Sequence, residues 1–130
     1  MADVNRGNRP LSPHLQVYKW PLNMAMSILH RMTGVALGVV TALIAIWFFA
    51  LAWSPSAFET VNGLMTSWLG WLILLGGAVS AWFHFVNGIR HLVWDTGSHF
   101  GQKRVNRTAV VGLVATVLLT IATVWVALAV

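Results

Sequence analysis

Residues 32–53 read MTGVALGVVTALIAIWFFALAW, twenty-two positions in a row without a charged side chain. A helix rising 1.5 Å per residue needs roughly 20 apolar residues to cross the hydrocarbon of a bilayer. This stretch therefore reads as a membrane span. The charge gap around it is wider still, running from Arg31 to Glu59, and it recurs between Glu59 and Arg90 and after Arg107. The fold class that follows is an all-α membrane protein with three transmembrane helices over about 22–53, 64–94 and 108–130, preceded by a polar surface segment, 1–21. Of the 130 residues 58% are hydrophobic and 8% charged, whereas soluble domains carry about a quarter charged residues. A single membrane domain uses nearly the whole chain and leaves no room for a soluble catalytic one.

Punctuation and charge refine the picture. Pro10, Pro13 and Pro21 disfavour helix just before them, and Ser54-Pro55 stops the first span. Trp53, Trp68 and Trp71 suit one membrane interface, and Tyr18, Trp20 and Trp94 the other. Arg6, Arg9, Lys19 and Arg31 precede the first span, while Lys103, Arg104 and Arg107 fill the connection between the second and third; the connection around 54–62 has Glu59 and no basic residue. Basic loops stay in the cytoplasm, so the N-terminus is expected there and the C-terminus in the periplasm. The first ten residues lack the apolar core of a signal peptide, which makes a bacterial inner membrane the expected location. The net charge of +5 then reports orientation, not a nucleic-acid partner. The absence of cysteine excludes disulfides, thiolate catalysis and cysteine-held iron–sulfur clusters within this chain.

Polar groups inside spans are expensive, about 2.5 kcal/mol or more for a central charge, so the few present are informative. His84, Gly88, His91 and Asp95 follow the spacing i, i+4, i+7, i+11 and share one stripe of the second helix. Gly77, Ala81 and Gly88 flank His84 with small residues, giving clearance for a flat macrocycle. Two readings stay open for His84: axial ligation of a haem iron, or a hydrogen bond across a helix interface. Ser27, His30, Arg31 and Gly34 form a second stripe on the first helix. Its hydroxyl, imidazole and guanidinium suit quinone oxygens that gain negative charge on reduction, and they also suit haem propionates; the alternative is an arginine snorkelling to lipid phosphate. Gly34 and Gly38 have the spacing of a close helix contact. Arg90 and His91 complement the helix dipole, Glu59 is alone in its loop, and the third helix, threonine-dotted and without ionisable groups, reads as packing.

The runs Arg9-Pro10-Leu11-Ser12-Pro13-His14-Leu15, Tyr18-Lys19-Trp20 and Ser27-Ile28-Leu29-His30-Arg31-Met32-Thr33-Gly34, followed by His84-Phe85-Val86-Asn87-Gly88-Ile89-Arg90-His91-Leu92-Val93-Trp94-Asp95-Thr96-Gly97, resemble the two signatures of the cytochrome b subunits of succinate dehydrogenase. The resemblance covers essentially the entire chain. It implies that this chain is half of a heterodimeric anchor bundle. His84 would be the axial ligand of a haem b shared with a second small membrane subunit, and His30 and Arg31 would be partners of the haem propionates. Ser27 and Arg31 would line a ubiquinone site, with His91 and Asp95 as possible outer neighbours. FAD and iron–sulfur clusters would reside only on a flavoprotein and an iron–sulfur subunit, where succinate is oxidised. Two alternatives stand beside it: the anchor of a quinol:fumarate reductase, and a cofactor-free structural or assembly protein.

Overall fold

The computed structural model describes residues 7, 10, 12, 14 and 16–129. Arg6, Arg9 and Pro13, used above for topology and punctuation, lie outside the described residues, as do 1–5, 8, 11, 15 and 130. Four helices follow in order, α1 (Leu22–Trp53), α2 (Pro55–Met65), α3 (Trp68–Asp95) and α4 (Gln102–Ala129). Three of them, α1, α3 and α4, are long and apolar enough to cross a membrane. At 32 residues, α1 runs roughly 48 Å, well beyond a hydrocarbon core of about 30 Å, so its ends must reach into the interfaces or the helix must tilt.

The breaks between helices have local causes. Pro21 is extended, with φ −65° and ψ 146°, and α1 starts after it. Ser54, also extended, ends α1 and caps α2 in one step: its Oγ accepts the Ala57 N–H at 3.1 Å, and Pro55 occupies the first turn of α2, where no N–H is missed. The connection expected around 54–62 is therefore mostly helix. Trp47 Nε1 donates to Asn62 Oδ1 at 3.2 Å and so fastens α2 back onto α1. Ser67 caps α3 by accepting from Gly70 N–H. Gly70 must be glycine, because a Cβ there would run into the Met65 and Leu64 carbonyls. Consequently α3 begins at Trp68, four residues later than the hydrophobic run that starts at Leu64.

At the other end, Gly97 takes φ +76° and His99 φ +63°, so α3 stops and the chain turns. Helix α4 then starts at Gln102 and carries Lys103, Arg104 and Arg107 in its first two turns. Hydropathy placed these cations in a connection up to about 108. They are good helix formers, and a helix can continue through the interface after its apolar part ends.

Helix α3 lies in the middle, packed against α1 on one side and α4 on the other. A small core of Met26, Phe83 and Ala109, with Leu22 and Leu113 against it, joins the three. Elsewhere contact depends on small residues, as expected when the surroundings are themselves apolar. Val40 fills the space a side chain would occupy at Gly77, with Cγ1 3.0 Å from the Cβ position, and Gly112 faces Val86 at 3.4 Å. On α4 the buried positions Ala109, Gly112, Thr116 and Thr120 form one stripe; the two threonine hydroxyls donate to the carbonyls four residues back and so cross the interface without an unmet polar group. The opposite faces expose large apolar side chains, among them Val35, Phe49, Leu92 and Leu118. So much apolar exposure fits lipid or further membrane helices, not water.

Candidate functional site

Residues of α1 and α3 assemble the polar centre. His84 approaches α1 where Gly34 provides room: a Cβ at position 34 would lie 3.1 Å from His84 Cε1. The Nδ1 of His84 is 3.0 Å from the main-chain carbonyl of His30 and 3.3 Å from Thr33 Oγ1. Thr33 donates to the same His30 carbonyl at 2.9 Å. A carbonyl can only accept, so Nδ1 carries the proton and the ring's lone pair is on Nε2. Nε2 has no partner among the described residues and is not sealed from the surface. The tautomer is therefore the one in which Nε2 can bind a metal.

The His30 ring stacks on the His84 ring, with centroids 3.9 Å apart and planes 13° from parallel. His91 tilts against His30 at 5.1 Å and packs edge-on to Trp94 at 5.2 Å. His30 Nδ1 is buried with no partner among the described residues. The structure thus brings His30, His84 and His91 together, and it adds Thr33, which the sequence stripes did not single out. Its signal was its place between His30 and Gly34, on the side of α1 that also carries Val40.

Ser27 and Arg31 occupy the adjoining flank of α1, Ser27 partly buried and Arg31 exposed. Their side chains make no hydrogen bond to any described residue, so both remain free to bind something else. Asp95 is the last residue of α3, exposed, and roughly 16 Å along the helix from His84. Ala81 and Gly88 leave space beside His84's helix, with nothing within 4 Å of a Cβ at Gly88. Gly77 does not, because Val40 occupies that space. Gly38 likewise meets nothing, so of the Gly34–Gly38 pair only Gly34 is used inside this chain.

Arg90 turns out to be much more than a dipole partner. It is buried at 8% exposure and joins all three long helices: Nε donates to Thr108 Oγ1, Nη1 to Asn87 Oδ1, and Nη2 to Asn23 Oδ1 and the Val105 carbonyl, at 3.2–3.3 Å. Its guanidinium lies 4.2 Å from the centre of the Trp94 ring. Asn87 at i−3 was the available sequence signal, since a helical Asn and Arg at that spacing face each other.

No three His, Asp or Glu side chains among the described residues are placed to hold one metal ion together. A metal held here needs only one ligand from this chain, which is what an unpartnered imidazole Nε2 offers and what a haem shared between chains requires. The residues present fit such a group.

Comparison with known proteins bears on these arrangements. Residues 5–123 match the family described as the succinate dehydrogenase/fumarate reductase transmembrane subunit. The chain is 43% identical over 123 residues to the succinate dehydrogenase cytochrome b556 subunit of Paracoccus denitrificans, covering 95% of each chain. It is 41% identical over 113 residues to the cytochrome b556 subunit of Rickettsia felis, covering 86% of this chain and 87% of that one. With the mitochondrial cytochrome b560 subunit of Sus scrofa the identity is 40% over 116 residues, 85% of this chain and 67% of the relative.

Proposed function

Since this chain belongs to the succinate dehydrogenase/fumarate reductase transmembrane-subunit family, we propose that it is the haem-bearing half of a two-subunit membrane anchor and forms part of the site where ubiquinone is reduced. Membership makes it a multi-pass membrane anchor of a complex II enzyme; the finer assignments are our reading. The observation that carries them is the fixed tautomer of His84, whose Nδ1–H is committed to the His30 carbonyl so that Nε2 presents its lone pair.

On this reading His84 Nε2 would be this chain's ligand to the haem iron, and a second small membrane subunit would supply the other. Haem b supplies reversible one-electron chemistry when bound. The Thr33 hydroxyl and the His30 carbonyl hold the imidazole in orientation, and Gly34 leaves it room. His30 and Arg31 serve the propionates: a buried His30 Nδ1 without a partner and an unengaged guanidinium are the donors that carboxylates require. Ser27 and Arg31, on the neighbouring flank of α1, donate to the quinone oxygens as these gain charge, the geometry by which fixed donors lower a barrier. His91 and Asp95 sit farther out, His91 bracing His30. With no cysteine for iron–sulfur clusters and most of the chain in three membrane-span helices that leave no flavin-binding fold, the clusters and the flavin belong to partner subunits docked on the cytoplasmic face, where succinate oxidation takes place.

The test is mild detergent extraction of the tagged chain. Co-purification of a flavin signal, an iron–sulfur signal and a second small membrane protein with succinate–quinone reductase activity supports the reading. Isolation of a haem-containing fraction that reduces fumarate with quinol but fails to reduce quinone with succinate would favour the fumarate reductase alternative; isolation without haem or flavin would make the chain a structural protein.

A further inference from the structure

A cavity of about 580 Å³ opens between α3 and α4, close to the turn that joins them. Part of its lining is apolar, formed by Val86, Ile89 and Val111, and part is basic, with Arg104, Arg107 and His99. Both the volume and the mixture of an apolar wall with a few polar groups are those of a ligand site. The charges in it are not balanced. Buried Arg90 lines the cavity, yet every one of its hydrogen bonds goes to a neutral oxygen, and no ion pair forms among the described residues.

Two further features add to the imbalance. Arg104 and Arg107 stand in the first turns of α4, at the positive end of the helix dipole, where cations are disfavoured and anions favoured. Trp94 also lines the cavity, and its Nε1–H is a buried donor with no acceptor among the described residues. An uncompensated buried guanidinium, two rim arginines, a helix N-terminus and an orphaned donor all call for an anion with oxygen acceptors. A free phosphate would leave the wall of Val86, Ile89 and Val111 unused. A molecule with an anionic head and a hydrocarbon tail satisfies both parts, and basic pockets between transmembrane helices recognise lipid headgroups in this way.

We propose that this cavity is a specific site for an anionic glycerophospholipid, with the phosphodiester held by Arg104 and Arg107 and an acyl chain along Val86, Ile89 and Val111. The site lies between α3 and α4, whereas His84 packs against α1; among the described residues only Trp94 touches both, and the proposal does not depend on the haem reading.

The assembled complex, reconstituted in nanodiscs of equimolar phosphatidylglycerol and phosphatidylcholine and then released for native mass spectrometry, tests it. The unsubstituted protein is expected to retain one phosphatidylglycerol per copy of this chain in preference to phosphatidylcholine. The rim variant R104Q/R107Q should lower that retention by about thirtyfold, the effect of two cations near an anionic headgroup, while Lys103→Gln, outside the cavity lining, leaves it unchanged. Val111→Trp, which blocks the apolar wall and removes no charge, should also lower it; because it acts on the tail, it reads the site even if the charge variant assembled poorly. Equal retention of the two lipids, an R104Q/R107Q variant that holds phosphatidylglycerol as the unsubstituted protein does, or displacement of the lipid by inorganic phosphate would each overturn the proposal. So would loss of a partner subunit from R104Q/R107Q with lipid retention intact, since the rim would then bind an acidic protein surface.

Discussion

His84 donates its Nδ1 proton to the main-chain carbonyl of His30 at 3.0 Å, while the rings of the same two residues stack at 3.9 Å. One residue of α1 thus fixes both the tautomer and the plane of an imidazole on α3. Outer contacts of this kind are worth about 10- to 100-fold in metal affinity, and Gly34 is what permits them.

Gly34→Leu is therefore expected to push the His84 ring out of place and to remove most of the b-type haem absorbance per assembled complex. Thr33→Val, which deletes the 3.3 Å contact to His84 and the Thr33 hydroxyl's own bond to the His30 carbonyl but leaves that carbonyl accepting from His84 Nδ1, should cost less. Haem quantified by pyridine haemochrome against total subunit protein checks both; equal losses in the two variants would contradict the ranking.

Arg31 is exposed and uncommitted within the chain, so its replacement should be silent for folding and costly for the quinone. Arg31→Leu is expected to lower succinate–quinone reductase activity by about tenfold or more, the range for losing a charge-assisted hydrogen bond, with electron transfer from succinate to a soluble artificial acceptor retained. Loss of both activities together would indicate failed assembly and remove Arg31 from the quinone site.

Arg90 poses the opposite case. Arg90→Met strands Asn87 Oδ1 and Asn23 Oδ1, which now share its guanidinium, while the Val105 carbonyl keeps the Thr108 hydroxyl; unmet buried polar groups cost about 1–3 kcal/mol each. A thermal unfolding midpoint lower by several degrees in detergent is expected, with the activity of the surviving complex largely preserved. An unchanged midpoint would show that the network adds nothing to stability.

The helical spans and both polar stripes were legible because each is a matter of period and charge along one helix. Residues 32–53 could hardly be anything but a span, and His84 was conspicuous as the deepest ionisable group. What stayed hidden depended on contacts between helices. Gly77 and Gly34 look alike in sequence, yet one receives Val40 and the other makes way for His84. Arg90 read as a helix-end cation because nothing in its own helix beyond Asn87 announces that Asn23, Val105 and Thr108 converge on it. The helix at Pro55–Met65 was missed because hydropathy marks spans, whereas this segment is organised by Ser54 as a cap and Pro55 in the first turn.

Whether His84 Nε2 binds the haem iron is read from a reduced-minus-oxidised absorption spectrum of membranes carrying His84→Ala with its partner subunits. With assembly confirmed by co-purification of the partners, loss of the b-type signal is expected, since the chain has no cysteine to replace the ligand. An unaltered spectrum would contradict ligation by His84 and move it to another histidine.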